Sequence, residues 1–166
     1  MNDLDLISKQ RREVFARYGL AMYYVQCVER SLAMLISSVF NKDFISSSPN
    51  IRDCFYNQAF SKTLGRLIKE LEMKITIPPN LKQNLVCTIN KRNWLAHNYF
   101  YERAGEILTS KGQEKMINEL TKFMEGFKRV DDHLKSIINK WVAKIGISNE
   151  VIEEKMKRLI DETKGI

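Results

Sequence analysis

Hydrophobic residues recur at alternating intervals of three and four in the first part of the chain, between Val14 and Val39. This spacing, held for more than about three heptads, indicates an amphipathic helix with an apolar seam. We therefore predict a long helix over residues 3–40. Its seam comprises Val14, Tyr18, Ala21, Val25, Val28, Leu32, Leu35 and Val39, and a second stripe beside it comprises Phe15, Met22, Glu29 and Ile36.

Helix-breaking residues divide the middle of the chain into shorter segments. Serine, proline and asparagine are concentrated in residues 41–50, which we predict to form a loop. A helical stretch over residues 51–71 follows, with a break near Ser61. Two consecutive prolines end this stretch, and Asn80 has the residue type and position of an N-cap for a helix over residues 81–101.

A second long amphipathic helix is predicted between a cap at Ser110 and a stop at Gly146. Asp131 interrupts its seam, and we interpret this residue as a buried polar group that sets the register of the helix. After Gly146, a cap at Ser148 or Asn149 begins a short amphipathic helix. The seam of the long helix comprises Ile117, Leu120, Met124, Phe127, Leu134, Ile138, Trp141 and Ile145, and the short helix has Ile152, Met156, Leu159 and Ile160 on one side.

These segments contain no strand pattern and no internal repeat, so we predict an all-α fold. A chain of 166 residues is long enough to form one domain with a proper core. We expect residues 1–146 to form an antiparallel bundle of four main helices. Residues 147–166 are expected to add an extra C-terminal amphipathic helix, packed on the bundle or on a partner.

Composition narrows the class of protein. Apolar residues make up 44% and charged residues 28% of the chain, which is typical of a globular protein. The three cysteines are widely separated and, with two histidines, form no zinc-binding pattern, so we predict no metal or cofactor and free thiols in a reducing compartment. No signal-peptide pattern and no apolar run of about 18 residues is visible. We expect a cytoplasmic protein without membrane contact.

Basic residues are concentrated in the middle of the chain. The formal net charge is +7. Residues 60–103 contain eight Lys or Arg against three Glu, whereas residues 111–166 contain twelve basic and ten acidic residues. This local excess of positive charge is expected if the partner is a phosphate backbone. On charge alone, a solvated helical surface is the simpler interpretation.

The most unusual stretch is the motif segment, residues 91–100, with the sequence KRNWLAHNYF. In a helix, Asn93 and His97 lie one turn apart on one stripe, and Arg92 shares the neighbouring stripe with Tyr99. Arg92 and Asn93 interrupt the expected apolar face, where burial is costly unless both are paired or face a wet cleft. Such a conflict is typical of a functional site. The expected apolar face comprises Leu85, Ile89, Ala96 and Phe100.

The segment from Arg92 to His97 resembles the R-x-x-x-x-H signature of HEPN domains, in which the arginine is often followed by a polar residue such as Asn93. Extended to Tyr99, it is similar to the R-x-x-x-x-H-x-Y form of HepT-like toxins, which are paired with small nucleotidyltransferases. The bundle of residues 1–146 would then be a HEPN-like domain. Two further similarities to the family are the T-L-G-x-L-I segment at residues 63–68 and a long first helix with Gln26 and Glu29.

The resemblance implies a metal-independent endoribonuclease that acts as a homodimer, either as a toxin or as an antiviral defence effector. Arg92, Asn93 and His97 would be its catalytic residues. The imidazole would move a proton from or to a ribose oxygen, the guanidinium would stabilise charge on phosphoryl oxygens, and the amide would orient either group. Tyr99 would contact RNA or accept a nucleotidyl group that silences the enzyme. The implied partners are RNA, a second copy of the chain, and a cognate antitoxin or nucleotidyltransferase.

Each of these residues also has a structural interpretation. His97 has the alternative of being a hydrogen-bonded core histidine. Glu29, the one acidic residue of the second stripe, is the predicted partner of Arg92, and this pair is compatible with a structural salt bridge as well as with a catalytic role. The alternative function is a non-catalytic HEPN-like module that binds RNA, a nucleotide or a protein partner. The aromatic residues that are more readily interpreted as packing residues are Trp94, Tyr99 and Tyr101.

Overall fold

The computed structural model describes the backbone of residues 3–146 and of residues 153, 154, 157 and 160–162. Within these residues the only regular elements are helices, which confirms the predicted all-α class. A π-helical turn, Leu35–Val39, continues the first helix, and a 3-10 turn, Glu106–Leu108, precedes the last long one. The α-helices in chain order are α1, Asp3–Met34; α2, Pro49–Phe60; α3, Leu64–Lys74; α4, Pro79–His97; α5, Tyr99–Glu102; and α6, Ser110–Lys144.

The predicted first helix is confirmed, because α1 and the π-helical turn together extend from residue 3 to residue 39. At its C-terminal end the N–H of Phe40 donates to the carbonyl of Leu35 at 2.9 Å, the wider spacing typical of a π-helix. The hydroxyl of Ser38 donates to the carbonyl of Met34 at 2.5 Å and ties the same turn to α1. The predicted seam is buried at Val14, Ala21, Val25, Val28, Leu32 and Leu35, and half-buried at Tyr18 and Val39.

The direction of α4 relative to α1 follows from contacts at two levels. The hydroxyl of Tyr18 donates to the carbonyl of Leu95 at 3.1 Å, and Glu29 lies beside Arg92. As the residue number falls along α1, it rises along α4, so the two helices are antiparallel. The motif segment is therefore supported by the N-terminal and middle turns of α1.

The first and last long helices run parallel. The hydroxyl of Ser110 donates to Gln10 Oε1 at 2.8 Å, and the hydroxyl of Ser31 donates to Asp131 Oδ1 at 2.6 Å, so residue numbers rise together along α1 and α6. The predicted antiparallel arrangement of four main helices is wrong for this pair.

The break near Ser61 explains why the predicted arrangement is wrong. Instead of one interrupted helix, the chain forms α2 and α3 as separate helices. The guanidinium of Arg30 lies 5.3 Å from the ring centroid of Phe60, so α2 returns along α1. α3 then reverses again, and its Lys74 donates to the carbonyl of Phe40 at 3.2 Å. This additional reversal brings α6 into the same direction as α1.

Two clusters of buried residues form the core. The cluster around the π-helical turn, α2 and α3 is aliphatic, whereas the cluster beneath the motif segment includes aromatic residues. The motif segment is therefore held by large, rigid side chains. The buried residues of the second cluster are Val14, Ala21, Val25, Leu95, Tyr99, Met116, Leu120 and Phe127.

The helix starts differ from the predicted caps. Asn80 lies in the first turn of α4, which begins at Pro79. α6 is capped by Thr109 instead of Ser110, because the Thr109 hydroxyl accepts from the N–H of Gly112 at 3.1 Å. Glycine is required at 112, since a Cβ there would collide with the backbone of the 3-10 turn. The predicted end of α6 is confirmed: Gly146 has φ +74°, the left-handed conformation that favours glycine.

The predicted C-terminal helix lies mostly outside the described residues. Residues 153, 154, 157 and 160–162 are helical and exposed. The predicted caps Ser148 and Asn149 and the apolar positions Ile152, Met156 and Leu159 are outside the described part. Over the described residues, no helix combines the length and the hydrophobicity that a membrane span requires.

Candidate functional site

The motif segment lies on α4 and on the short α5 that follows it. The buried residues of this stretch are Leu81, Leu85, Thr88, Leu95 and Tyr99. Arg92 completes this stripe at helical spacing, one turn after Thr88. The predicted apolar face is confirmed at Leu85, which is buried, and at Ile89 and Phe100, which pack against the core, but it is wrong at Ala96, which is exposed. Asn93 is exposed as well, so only Arg92 has the expected conflict between charge and burial.

The predicted pair between Glu29 and Arg92 is present. Arg92 Nε lies 3.5 Å from Glu29 Oε1, and Arg92 Nη1 donates to Asn93 Oδ1 at 3.2 Å. Both Nε and Oε1 are buried, yet neither forms a hydrogen bond with a described residue. Charge attraction therefore holds the pair without the short, directional hydrogen bonds of a closed salt bridge.

The electrostatics of Glu29 reflect this open geometry. Burial raises the pKa of Glu29 above its ordinary value, and the positive charge of Arg92 opposes that effect without cancelling it. The carboxylate has lost water, and a partner that donates no hydrogen bond replaces it incompletely. Buried polar atoms without hydrogen bonds are rare in folded proteins. The pair is therefore electrostatically incomplete; its two atoms without hydrogen bonds are closed off from solvent, and only the rest of the Arg92 side chain, 36% exposed, is accessible to another group.

His97 is the last residue of α4 and is exposed. The helix ends here because Asn98 adopts φ −123° and ψ −21°, although its N–H still donates to the carbonyl of Trp94 at 2.9 Å. Asn93 and His97 lie one turn apart, as predicted, and both are exposed, which was not expected for Asn93. The alternative of a core histidine is wrong. An exposed imidazole can exchange protons with water and with a bound substrate.

Tyr99 lies in the core, with 1% of its surface exposed. Its hydroxyl donates to the carbonyl of Met116 in α6 at 3.4 Å, and its ring stacks on Tyr18 with centroids 5.9 Å apart. Burial raises the pKa of Tyr99 strongly. The packing interpretation is therefore confirmed for this residue. A buried hydroxyl directed at α6 does not support the expected contact with RNA or the acceptance of a nucleotidyl group.

The other two aromatic residues behave differently from each other. Trp94 packs edge-on against Phe123 and donates from Nε1 to Glu102 Oε2 at 2.9 Å, so its packing role is confirmed. Arg103 stacks over the Trp94 ring at 5.1 Å. Tyr101 is 88% exposed, and the packing interpretation is wrong for it. The helical pattern alone could not separate these cases, because the turn at residue 98 changes the phase between α4 and α5.

A positively charged cleft near the motif segment was not expected from the sequence. It has a volume of about 180 Å³ and lies between α4 and α6, with Lys91 and Arg129 at its border. These residues are 38 positions apart and come together only through helix packing. The local excess of basic residues was the single sequence signal that pointed to this region.

The described residues contain no group of three or more His, Cys, Asp or Glu side chains that could hold a metal ion. Cys27 is half-buried, whereas Cys54 and Cys87 are exposed, and all three are free thiols. The polar side chains that α4 brings to the motif segment include a guanidinium, an amide and an imidazole.

Comparison of the chain with protein-family models, with curated proteins and with solved structures finds no match. The resemblance to HEPN domains is carried by the motif segment, residues 63–68 and the first helix. The function must therefore be inferred from the chemistry and the placement of these residues.

Proposed function

We propose that this chain is a metal-independent endoribonuclease of HEPN type, acting as a toxin or an antiviral defence effector in the cytoplasm. The observation that carries the proposal is the arrangement on α4: a carboxylate of α1 beside Arg92, the Arg92–Asn93 hydrogen bond, and an exposed His97 one turn further on. A guanidinium, an amide and an imidazole are the groups that phosphoryl transfer at an RNA backbone requires.

The proposed reaction is attack of the ribose 2′-oxygen on the adjacent phosphorus, with cleavage of the bond from phosphorus to the 5′-oxygen. His97 accepts the 2′-hydroxyl proton, and a protonated imidazole supplies a proton to the departing 5′-oxygen. Arg92 stabilises the charge that develops on the phosphoryl oxygens. Glu29 positions Arg92. The products are a 2′,3′-cyclic phosphate and a 5′-hydroxyl.

The active form is proposed to be a homodimer in which two α4 helices face each other across a two-fold axis. Three features favour this surface. The Arg92 side chain is 36% exposed, Ala96 is small and exposed, and Phe15 is 52% exposed beside Phe100. Two facing copies would place two imidazoles in one cleft, which provides both a base and an acid. A cognate antitoxin or nucleotidyltransferase is the proposed regulatory partner.

The second candidate function is a non-catalytic HEPN-like module that binds RNA, a nucleotide or a protein. The ion pair favours it in one respect, because Glu29 partly occupies the guanidinium that a scissile phosphate would need. The exposure of Asn93 and His97 favours the enzyme. Both candidates place the partner on the same side of α4.

A cleavage assay with mixed RNA in EDTA tests the proposal. The native chain should cut and leave 2′,3′-cyclic phosphate ends, and it should behave as a dimer in light scattering at micromolar concentration. Arg92→Ala and His97→Ala should each reduce the rate by about 10²–10³-fold while the helical content is unchanged. His133→Ala, which removes an exposed histidine on α6, should cut at the native rate.

A substrate with a 2′-deoxy group at the scissile nucleotide should resist cleavage, since it lacks the nucleophile. Cleavage of this substrate, or full activity of the His97 variant, contradicts the mechanism and favours the binding module. A stable monomer that cuts RNA contradicts the composite cleft alone.

A further inference from the structure

Lys91 and Arg92 are adjacent in sequence but lie on different sides of α4. Arg92 is beside Glu29 of α1, whereas the ammonium of Lys91 lies 4.9 Å from the ring centroid of Phe123 in α6. The cleft of about 180 Å³ opens on this second side, between the two helices. Its lining residues include Asn84, Cys87, Thr88, Lys91, Phe123 and Arg129.

The cleft is positively charged. Among the described residues, no carboxylate lines it, and none lies within ion-pair distance of Lys91 or Arg129. A neighbouring cation contrasts with these two, since Lys128 lies 2.7 Å from Asp132. Glu125 is one turn before Arg129 on α6 and is exposed, but it does not line the cleft. An anion in the cleft would thus meet two available cations.

The floor of the cleft leaves space beside the guanidinium. Gly126 lines the cleft, and a Cβ at this position would lie 4.0 Å from Arg129 Nη2, with no other atom so near. The hydroxyl of Thr88 is directed away, because it donates to the carbonyl of Asn84 at 2.8 Å. The polar groups that remain for a ligand are therefore mainly cationic.

A separate, open groove of about 850 Å³ lies further along α6, and Phe123 lines both the groove and the cleft. Lys111 and Lys122 line this groove, and within the described chain neither has an ion-pair partner. Of the two glutamates that line it, Glu119 is neutralised by hydrogen bonds of 3.1 and 2.9 Å from an arginine, and Glu114 is the remaining acid.

The groove passes the level of the bundle at which His97 lies. Trp94 and Tyr99 flank His97 in sequence, and they contact Phe123 and Met116 of α6 respectively. The segment of α6 between those two contacts lines the groove. A strand bound along α6 would therefore run beside the end of α4 that carries the imidazole.

We propose that the cleft between Lys91 and Arg129 binds a phosphate group of the RNA strand that the chain cuts, an inference that rests on the proposed function. A guanidinium and an ammonium are the standard donors to phosphate oxygens. Lys111, Lys122 and Arg129 are spaced by 11 and 7 residues, so they form a single row of about 27 Å along α6. One row of cations matches one backbone, and the substrate is single-stranded.

The test is RNA binding by the full chain carrying His97→Ala, which separates binding from cleavage. The probe is a labelled single-stranded RNA of mixed sequence, titrated at several salt concentrations. Lys91→Gln with Arg129→Gln should lower the slope of log affinity against log salt by about 0.7, because the cleft binds one phosphate and each phosphate contact on a single strand contributes about 0.7. At 0.1 M salt, relative to 1 M, this corresponds to a loss of roughly 5-fold.

The matched control is Lys69→Gln with Lys140→Gln, which removes the same charge from exposed positions outside the cleft. It should leave the salt slope unchanged. If both double variants lower the salt slope equally, the proposed phosphate site is wrong, because the change is then a general effect of charge. Binding of a mononucleotide or of an acidic peptide, without binding of RNA, also overturns the proposal.

The outcomes for this cleft and for the proposed function are separable. RNA binding that depends on Lys91 and Arg129, in a chain that never cuts, supports the cleft and contradicts the ribonuclease. Normal cutting and normal salt dependence in the double variant contradict the cleft and leave the ribonuclease intact. Absence of RNA binding in every variant contradicts both.

Discussion

Glu29 and Asp131 are both acidic residues on packed faces of long helices, but their surroundings differ. Asp131 is 1% exposed, accepts a hydrogen bond from Ser31 at 2.6 Å, and lies 2.6 Å from the ammonium of Lys135. The hydrogen bond to Asp131 raises the pKa of Lys135. Glu29 is 3.5 Å from Arg92, and its Oε1 makes no hydrogen bond with a described residue.

The difference separates a closed ion pair from an open one. Both oxygens of Asp131 have close partners, so it fixes the register of the parallel α1–α6 pair, as the sequence predicted for a buried polar residue in a seam. Glu29 makes no hydrogen bond to Arg92, and the Arg92 side chain is partly exposed. The guanidinium is therefore able to bind another anion. An incompletely satisfied pair contributes little to stability, and under the proposed function its role is to position the guanidinium.

The largest expected effect on stability comes from removing Asp131, whose two oxygens contact Ser31 and Lys135. Asp131→Ala should lower the free energy of unfolding by about 3 kcal/mol, because it leaves the buried hydroxyl of Ser31 without its acceptor and removes the partner of Lys135. We place the effect at the low end of the range for buried pairs, since Lys135 is half exposed and can be hydrated. Urea unfolding followed by circular dichroism measures it.

The control for this change is Asp132→Ala, which removes an exposed carboxylate paired with Lys128 on the same helix. Its effect should stay below about 1 kcal/mol. RNA cleavage by the Asp131 variant, measured where it remains folded, should be normal. A loss of activity without loss of stability would reverse the assignment of the two carboxylates.

Breaking the ion pair between Glu29 and Arg92 should have a smaller effect on stability and a larger one on activity. Glu29→Ala should lower the free energy of unfolding by about 1 kcal/mol, a shift of about 2–4 °C in Tm, because Arg92 is exposed enough to be partly hydrated. Cleavage should fall as well, since the guanidinium loses its orientation. Thermal unfolding and the RNA assay are the measurements.

Glu13→Ala is the matched control for Glu29→Ala, because it opens an ion pair with Arg17 on the same helix that is somewhat more exposed than the pair of Glu29 with Arg92. It should alter neither activity nor Tm measurably. A Glu29 variant with unchanged Tm and unchanged activity would show that its ion pair with Arg92 has no role.

Much of the fold followed from hydrophobic spacing. The two long helices, the break near Ser61 and the stop at Gly146 were predictable because each depends on local sequence. The parallel direction of α1 and α6 was not, since it depends on whether α2 and α3 fold back or continue. That choice is made by packing against α1 and α4, which no local pattern encodes.

The site was predictable in its partners but not in its geometry. Glu29 was assigned to Arg92 because a lone acid in an apolar stripe needs a cation, and the two are neighbours. The expected apolar face of α4 was wrong at Asn93 and Ala96, which are both exposed, because the buried stripe runs through Thr88, Arg92 and Leu95. Tyr99 matched a motif by spacing, yet the turn at residue 98 directs its hydroxyl into the core.

The smallest expected effect is a pH dependence that belongs to Glu29. Its pKa in the folded chain is raised above the ordinary value of 4.5 by burial, against the attraction of Arg92. As the pH rises from 4.5 through the raised pKa, the unfolded chain releases this proton first, so the folded state loses relative stability. Glu29→Gln removes that loss. The free energy of unfolding of the variant, minus that of the native chain, should increase across this window.

Arg92→Gln sharpens the same measurement. Without the guanidinium, nothing opposes the effect of burial on Glu29, so the pH dependence should become steeper than in the native chain. Adding Glu29→Gln to this variant should abolish the extra steepness. Urea unfolding at several pH values between 4 and 7 follows all four proteins. A difference that decreases as the pH rises would mean that the attraction of Arg92 outweighs burial, and Glu29 would then belong with Asp131 as a closed structural pair.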